Sequence, residues 1–415
     1  NSVHHHEEEK MAVIIMELIG KEHDSLFYPT ASGSAQSFNY YPVSYMKREE
    51  GVAHLALGLG RTIAEGEKSL RFSPKYPGII PQFYSIRSTI DNSQNEFYAL
   101  DLKKGSQLLK NGEQENTSSF ELSVAEKDGE LHWSGSVISE EDNVLRNSLR
   151  HSGTRVITFP SFLKWNSAPI PEILIDVLKM GENALGCPIE IEFAINMHKD
   201  NDKENEFCLL QIKPMVIGGI ERVQKFDSIN KDDLFCKSSV ALGNGLIDNI
   251  QNIVIVDPKT FDASQTEIIA KDIEHINNKM SDKEQFILIG PGRWGSADPW
   301  LGVPVEWDQI SNAKVIIEFG MEDFPVDPSF GSHFFQNVTS MRIGYFTLNH
   351  KKKTDYLDLE WLNDQKVAAV TKHTKWIRLE RPLSVTIDGE TGEGSIIKPL
   401  APVQEKMDEH EASGI

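Results

Sequence analysis

The sequence predicts a mixed α/β protein, in which an α+β first part is followed by a layer of alternating strands and helices. In the first part, short segments with a period of two residues flank an amphipathic helix at residues 171–185. In the second part, apolar strand patterns at residues 252–256 and 286–289 enclose a helix that begins at the capping-box pattern of residues 264–267 and runs to about residue 280. This strand–helix–strand order is typical of a parallel layer, and residues 374–398 add a β-rich C-terminal tail.

The remaining elements follow from the same two periods and from turn residues. We expect a strand at residues 11–19, a turn, a second strand, and a helix that begins near Thr62. The alternation at residues 123–139 around Asp128-Gly129 predicts a hairpin. Further strands are expected at residues 97–102, 315–317 and 343–347.

Composition excludes several classes of protein. With 415 residues the chain is long enough for two or three domains, and its formal charge of −20 argues against nucleic acid as a partner. No apolar run reaches the roughly 18 residues that a membrane span needs, and the first residues do not resemble a signal sequence. Three cysteines without metal-like spacing indicate a reducing compartment, so we expect a cytoplasmic protein without nucleic-acid or membrane partners.

Two segments carry the strongest chemical signal. Residues 188–193 alternate apolar and acidic side chains, so Glu190 and Glu192 share one face of a strand. A polar connector leads to a second strand at residues 209–214. If the hairpin is symmetric, Glu192 lies opposite Gln211 and Glu190 opposite Lys213. Such oxygen donors suit magnesium, although the solvent-exposed side of a hairpin has the same alternation.

These segments and an upstream block resemble a known family. The upstream block consists of residues 11–19, the pair Ser32-Gly33, the loop Gly58-Leu59-Gly60-Arg61, and Gly66. Together with the two acidic-hairpin segments, it resembles the nucleotide-binding domain of phosphoenolpyruvate synthase and pyruvate phosphate dikinase, which has the ATP-grasp fold. The resemblance covers residues 11–215.

The resemblance implies a set of roles. It implies ATP and magnesium as cofactors and transfer of a phosphoryl group from ATP, through a histidine, toward pyruvate, with phosphoenolpyruvate as product. Glu192 and Gln211 would ligate magnesium, and Glu190 and Lys213 would contact phosphates or support the metal. The residues that correspond to the rest of the nucleotide site are Met16, Gly58 and Gly60.

The chain also departs from the family pattern. The family usually has Gln where Met16 stands, an acid at Arg61, Asp at Glu190 and Arg at Lys213. Lysine keeps the charge but loses the bidentate fork that suits phosphate. We expect the preceding half of the ATP-grasp domain, with its phosphate-binding lysine and arginine, to be missing. The alternative function is therefore a non-catalytic nucleotide-sensing or interaction module.

The predicted domains follow from these observations. Residues 1–10 and 401–415 are expected to be disordered. Residues 11–217 would form the second half of an ATP-grasp-like domain, and residues 218–400 an α/β domain of the swivelling type with an uncertain role. The sequence leaves a homodimer open.

Two motifs in the second region could carry chemistry. Residues 290–295 read Gly-Pro-Gly-Arg-Trp-Gly, but two prolines and no helical period follow, which disfavours a dinucleotide site. The loop could bind an anion through its amides and Arg293, or could be a packed turn that Trp294 and Trp300 anchor.

The second motif is Gly-Ser-His at residues 331–333. Ser332 could cap a short helix and place His333 in its first turn, which is similar to the phosphate-carrying histidine of the family's swivelling domain. A histidine between aromatic residues is also common in a core. We name His333 and Arg293 as the catalytic candidates.

Overall fold

The computed structural model describes most of the chain. It covers residues 14–43, 45–104, 117–139, 141–199, 203–215, 230–281, 283–296, 298, 300–321, 324, 333–349, 352 and 354–399. The ends that we predict to be disordered lie outside these residues, as do residues 11–13, Ser332 and the predicted boundary at residue 217.

The chain forms two compact units. The first contains Asn1–Gln36, Val52–Ile79 and Ser85–Lys213, and the second contains Ser37–Gly51, Ile80–Tyr84 and Pro214–Ile415. The segment Ser37–Gly51 belongs to the second unit because its apolar side chains join that unit's core. In addition, the Arg48 guanidinium donates hydrogen bonds to the backbone carbonyls of Gly389 and Ala241.

Antiparallel strands dominate the first unit. Its strands are β1 Lys21–His23, β2 Leu26–Tyr28, β3 Ala31–Gln36, β4 Val52–Ala56, β5 Leu70–Phe72, β6 Glu96–Asp101, β7 Thr117–Glu121, β8 Gly135–Ser139, β9 Val144–Arg146, β10 Thr154–Ile157, β11 Ile189–Asn196 and β12 Glu206–Pro214. Its helices are α1 Arg61–Ala64, α2 Ile86–Asn92, α3 Leu122–Asp128, α4 Leu131–Ser134, α5 Pro160–Leu163 and α6 Ile170–Leu185. The sheets have the orders β1-β2-β6-β7, β10-β8-β9 and β12-β11-β3-β4-β5.

The sheet β12-β11-β3-β4-β5 positions the acidic strand. Along β11 the apolar residues Ile189, Ile191 and Phe193 are buried, whereas Glu190 and Glu192 are only half-buried, as the alternation predicts. Helix α6 packs on the apolar face. At Gly181 of this helix, an added Cβ would stand 2.2 Å from the Cδ1 atom of Ile189.

Strands and helices alternate in the second unit. Its strands are β13 Leu234–Ser238, β14 Ala241–Leu242, β15 Gly245–Val256, β16 Phe286–Pro291, β17 Arg293–Trp294, β18 Gly302–Val303, β19 Ala313–Phe319, β20 Gly344–Leu348, β21 Tyr356–Leu357, β22 Val367–Val370, β23 Thr374–Asp388 and β24 Glu393–Ile397. Its helices are α7 Thr266–Asn277, α8 His333–Ser340 and α9 Leu359–Asn363.

The predicted parallel layer is confirmed. Strands β15, β16, β19 and β20 pair in parallel, and α7 connects the first two of them. The sheet has the order β14-β20-β19-β16-β15-β23-β24-β13-β21, with β22 paired to β23. Apolar cores cover both of its faces. The mixed α/β class and the β-rich tail are therefore both as predicted.

Several local predictions are wrong. Residues 14–19 form no strand, and Ile14 and Ile15 are largely exposed, because no neighbouring strand buries them. The predicted hairpin around Gly129 is instead α3 and α4 followed by β8. Gly129 has a φ of 83° and ends α3 in the left-handed conformation, a role for which glycine is also favoured. Ser32-Gly33 is no turn but lies inside β3. The predicted capping box is also absent: the N-cap of α7 is Gln265, whose side chain makes no cap hydrogen bond, and Asp262 instead caps the short 3-10 helix Ala263–Gln265 before it by accepting from the Ser264 amide.

Among the described residues, no helix combines the length and the apolar character that crossing a membrane requires.

Candidate functional site

Four side chains form a connected polar cluster on the sheet of the first unit. The Lys213 ammonium lies 3.0 Å from Glu190 Oε1 and 3.6 Å from Glu192 Oε1. The Gln36 side-chain amide donates a hydrogen bond of 2.9 Å to Glu190 Oε2. The structure thus brings Glu190, Glu192 and Lys213 together, as the hairpin pattern predicts.

The members of the cluster differ in how accessible they are. The Glu190 side chain is 20% exposed, whereas those of Glu192 and Lys213 are 47% and 45% exposed. The hydrogen bond with Glu190 is the main cause that raises the pKa of Lys213 above its usual value, so this amine is a cation at neutral pH. Glu192 has the more accessible carboxylate of the two acids.

Gln211 lies on the same strand as Lys213, two residues earlier, and is exposed. Because side chains two residues apart share a face of a strand, its carboxamide lies on the face that carries the Lys213 ammonium. Strands β12 and β11 are neighbours in the sheet. That Gln211 stands directly opposite Glu192 stays a prediction.

A cavity of about 280 Å³ lies on the same unit. Its lining includes residues from each of the sequence motifs: Met16, Ile19, Ser32, Leu59, Gly60 and Ala194. Ala194 follows Glu192 by two residues on β11, so the acidic face of that strand leads from the polar cluster to the cavity wall. The volume is close to the lower end of the range for small-molecule sites.

The two glycines of the Gly-Leu-Gly loop differ in whether the structure requires glycine at that position. Gly58 has a φ of 81°, and a Cβ there would stand 2.6 Å from the Tyr98 carbonyl oxygen, so the backbone itself requires glycine. At Gly60 the nearest atom to an added Cβ is 3.7 Å away, so alanine would fit. Gly60 therefore lines the cavity without a side chain, and its backbone conformation does not require glycine.

The oxygen donors of Glu192 and Gln211 are of the kind that magnesium takes. Magnesium usually takes one or two protein carboxylates and completes its shell with water and substrate phosphates. Glu192 and Gln211 offer oxygen donors of this kind on exposed positions, and Lys213 offers a charge to phosphate. Within the described ranges, no group of three or more His, Cys, Asp or Glu side chains is arranged to hold a metal by itself.

Arg61, where the family has an acid, is held in place by three neighbours. Its Nε donates to Glu65 Oε1 at 2.7 Å, its Nη1 donates to Thr117 Oγ1 at 2.8 Å, and the guanidinium lies 4.8 Å from the ring centroid of Tyr98. The positive charge next to Gly60 is thus partly balanced by Glu65.

Gln36 and the buried group around Glu130 are not predicted from the sequence. Ser32, Ser34 and Gln36 alternate with smaller residues in β3, and this period of two was the available signal for Gln36. Glu130 accepts hydrogen bonds from Lys21 at 2.5 Å and Thr30 at 2.6 Å. No sequence period connects these residues, since they are about 100 positions apart.

In the second unit, the amides of the glycine-rich loop bond within the protein. The amides of Arg293, Trp294 and Gly295 donate to the Leu301 carbonyl, the Glu318 carboxylate and the Val303 carbonyl. Trp294 is 1% exposed and anchors the loop, whereas Trp300 is 70% exposed and does not. This geometry favours the packed turn over an anion site built from these amides, and a catalytic role for Arg293 stays a prediction.

Below that loop lies a buried carboxyl group. Burial raises the pKa of Glu318 to about 7, although hydrogen bonds from the Tyr345 hydroxyl and the Trp294 amide and the charge of Arg293 act in the opposite direction. In the same unit, His333 is the first residue of α8, which agrees with the predicted position in a helical first turn. Gly295 lies against Phe334 of the same helix.

Comparison with models of protein families gives a match. A family model described as the pyruvate phosphate dikinase AMP/ATP-binding domain matches residues 1–233, which is more than half of the 415-residue chain. No curated protein matches the chain.

Proposed function

Because the chain belongs to the family of the pyruvate phosphate dikinase AMP/ATP-binding domain and ATP is its nucleotide partner, we propose that it binds ATP with magnesium for phosphoryl transfer of the phosphoenolpyruvate synthase type. The observation that supports this proposal best is the cluster of Glu190, Glu192 and Lys213 near the cavity. The proposal has further parts. The second region would be a domain of the swivelling type, and pyruvate would be the acceptor. The protein would be a cytoplasmic homodimer without nucleic-acid or membrane partners.

In this proposal Gln211 and three residues of the cluster have separate tasks. Glu192 and Gln211 would hold the metal, which when bound would neutralise the charge of the phosphate oxygens. Lys213 would contact a phosphate oxygen through its ammonium, and Glu190 would keep that ammonium oriented. The cavity lined by Met16, Ile19 and Gly60 would take the less polar nucleoside end of ATP.

The phosphoryl acceptor is the second part of the proposal. In the parent reaction of the family, the β-phosphoryl group of ATP passes to a histidine and then to pyruvate, AMP leaves, and water takes the γ-phosphoryl group as inorganic phosphate. His333 is our first candidate, since it opens helix α8, and backbone amides in the first turn of a helix stabilise a phosphoryl group. Arg293 would be an auxiliary cation of this step.

Calorimetric titration with ATP tests the metal site. We expect binding that depends on magnesium in the wild-type chain and a loss of at least about tenfold in affinity in Glu192→Ala, because the exposed carboxylate is the best metal ligand of the cluster. Glu22→Ala is the control, since Glu22 is an exposed glutamate in another strand of the same unit. Equal affinities of Glu192→Ala and the wild type would remove the site assignment.

One observation favours the alternative, a nucleotide-sensing module without catalysis. Arg61 replaces the acid of the family, and its bonds with Glu65 and Thr117 hold it in that position. Incubation with ATP labelled at the β-phosphorus separates the two functions. An enzyme would gain a label that is stable to alkali, labile to acid and absent from His333→Gln, whereas a sensor would bind the nucleotide and stay unlabelled.

A further inference from the structure

Both carboxylate oxygens of Glu190 are already engaged in the free protein. Glu190 and Gln36 are directly paired across β11 and β3, and the Gln36 amide donates to Oε2 at 2.9 Å. The other oxygen, Oε1, lies 3.0 Å from the Lys213 ammonium. The Glu190 side chain therefore links the Gln36 side chain to the Lys213 ammonium.

Lys213 stands between two acids at unequal distances. It is 3.0 Å from Glu190 and 3.6 Å from Glu192. The lysine ammonium is a point charge on a flexible side chain and has no fixed bidentate geometry. Small rotations of the Glu190 side chain therefore decide which of the two carboxylates the ammonium contacts more closely. A shift of Lys213 toward Glu192 would neutralise the carboxylate to which the proposed function gives the metal.

We propose that Gln36 is a positioning residue for nucleotide binding: it fixes the Glu190 carboxylate, which keeps Lys213 closer to Glu190 than to Glu192, so that the Glu192 carboxylate stays available to the metal and the ammonium to the phosphates. This inference rests on the proposed function and adds a residue that the sequence motifs do not include. Gln36 itself contacts neither the metal nor the nucleotide. It acts through Glu190 only.

The test compares Gln36→Leu with the wild type in titrations with magnesium–ATP and with adenosine. Leucine keeps the approximate volume but donates no hydrogen bond, so Glu190 loses the contact that orients it. We expect affinity for magnesium–ATP to fall by about fivefold to tenfold, which is less than the direct loss of a hydrogen bond to a charged group would cause, because Gln36 acts only through Glu190. Affinity for adenosine should change by less than about twofold, because the cavity is intact.

A rescue variant separates positioning from a general structural effect. In Lys213→Arg, the guanidinium fork can bond both Glu190 oxygens without help from Gln36. Adding Gln36→Leu to Lys213→Arg should therefore cost less than about twofold in magnesium–ATP affinity. Gln251→Leu is the matched control, since Gln251 is a half-buried strand glutamine of the second unit.

The outcomes distinguish this inference from the proposed function. If the wild type binds magnesium–ATP and Glu192→Ala does not, but Gln36→Leu binds like the wild type, Gln36 has no positioning role. Equal losses for adenosine and magnesium–ATP, or an equal loss in the Lys213→Arg background, would show a structural role and overturn the inference. A wild-type chain that binds no magnesium–ATP would overturn both statements.

Discussion

The close packing at Gly33 provides a direct test of the fold at the site. Gly33 lies inside β3 and pairs with Phe193 of β11, the residue after Glu192. A Cβ at position 33 would stand 2.1 Å from Phe193 Cζ and 2.7 Å from the His54 carbonyl oxygen. Gly33→Ala should therefore strain the strand that carries the acidic residues.

The distances give the size of the effect. Carbon atoms pack at about 3.5–4.0 Å, so the ring of Phe193 would have to move by roughly 1.5 Å. The ring is stacked on Phe207 with centroids 5.0 Å apart, which limits its movement, and the His54 carbonyl belongs to the backbone of the neighbouring strand. Overpacking of this kind costs about 1–3 kcal/mol, and the restricted ring places Gly33→Ala near about 3 kcal/mol.

Thermal unfolding followed by circular dichroism would measure this change. We expect the melting temperature of the first unit to fall by roughly 6–12 °C. Gly60→Ala is the matched control and should change it little, because an added Cβ meets its nearest atom at 3.7 Å. In Gly33→Ala/Phe193→Leu the smaller side chain should recover part of the loss. If the two substitutions are simply additive, the ring does not cause the effect and the packing argument is wrong.

Two further predictions concern buried ionisable groups. The pKa of Glu318 is raised from 4.5 to about 7, so its contribution to stability is fully present below pH 4.5 and is lost as pH rises toward and through 7. Relative to Glu318→Gln, the wild type should lose about 3 kcal/mol of unfolding free energy over this range. Urea denaturation at several pH values measures this, and the same pH dependence of the unfolding free energy in both proteins would contradict it. Lys21→Met should destabilise the first unit by about 3–5 kcal/mol, because it leaves the buried Glu130 carboxylate without its cation. Urea unfolding measures the loss, and Lys21→Met/Glu130→Gln should recover part of it; no recovery would refute the role of the unpaired charge.

Much of the fold was predictable because its signals are local. The alternation along β11 reports directly which side chains are buried, and α6 shows the helical period of its apolar face. The strands of the parallel layer are continuous apolar runs because both of their faces are covered. In each of these cases a short stretch of residues contains the whole physical cause of the structure.

The errors arose where one local signal serves two structures. Asp128-Gly129 is a favoured hairpin pair, but a glycine with positive φ also ends a helix, and here it ends α3. The apolar run that begins at residue 14 has the composition of a strand, yet it pairs with no neighbour. Chain order also suggests that Ser37–Gly51 belongs with the strands on either side of it, but its apolar residues are buried in the second unit's core.

The sequence by itself determined the mixed α/β class, the acidic strand and the motifs that place the chain in its family, because each depends on residue types at short and regular spacings. Only the tertiary structure decided that Gln36 holds Glu190, that the cavity wall combines Met16 with Ala194, and that Glu318 is buried beneath the glycine-rich loop. Such contacts join residues that are far apart in the chain. Their energies depend on distance and burial, and a linear pattern contains neither.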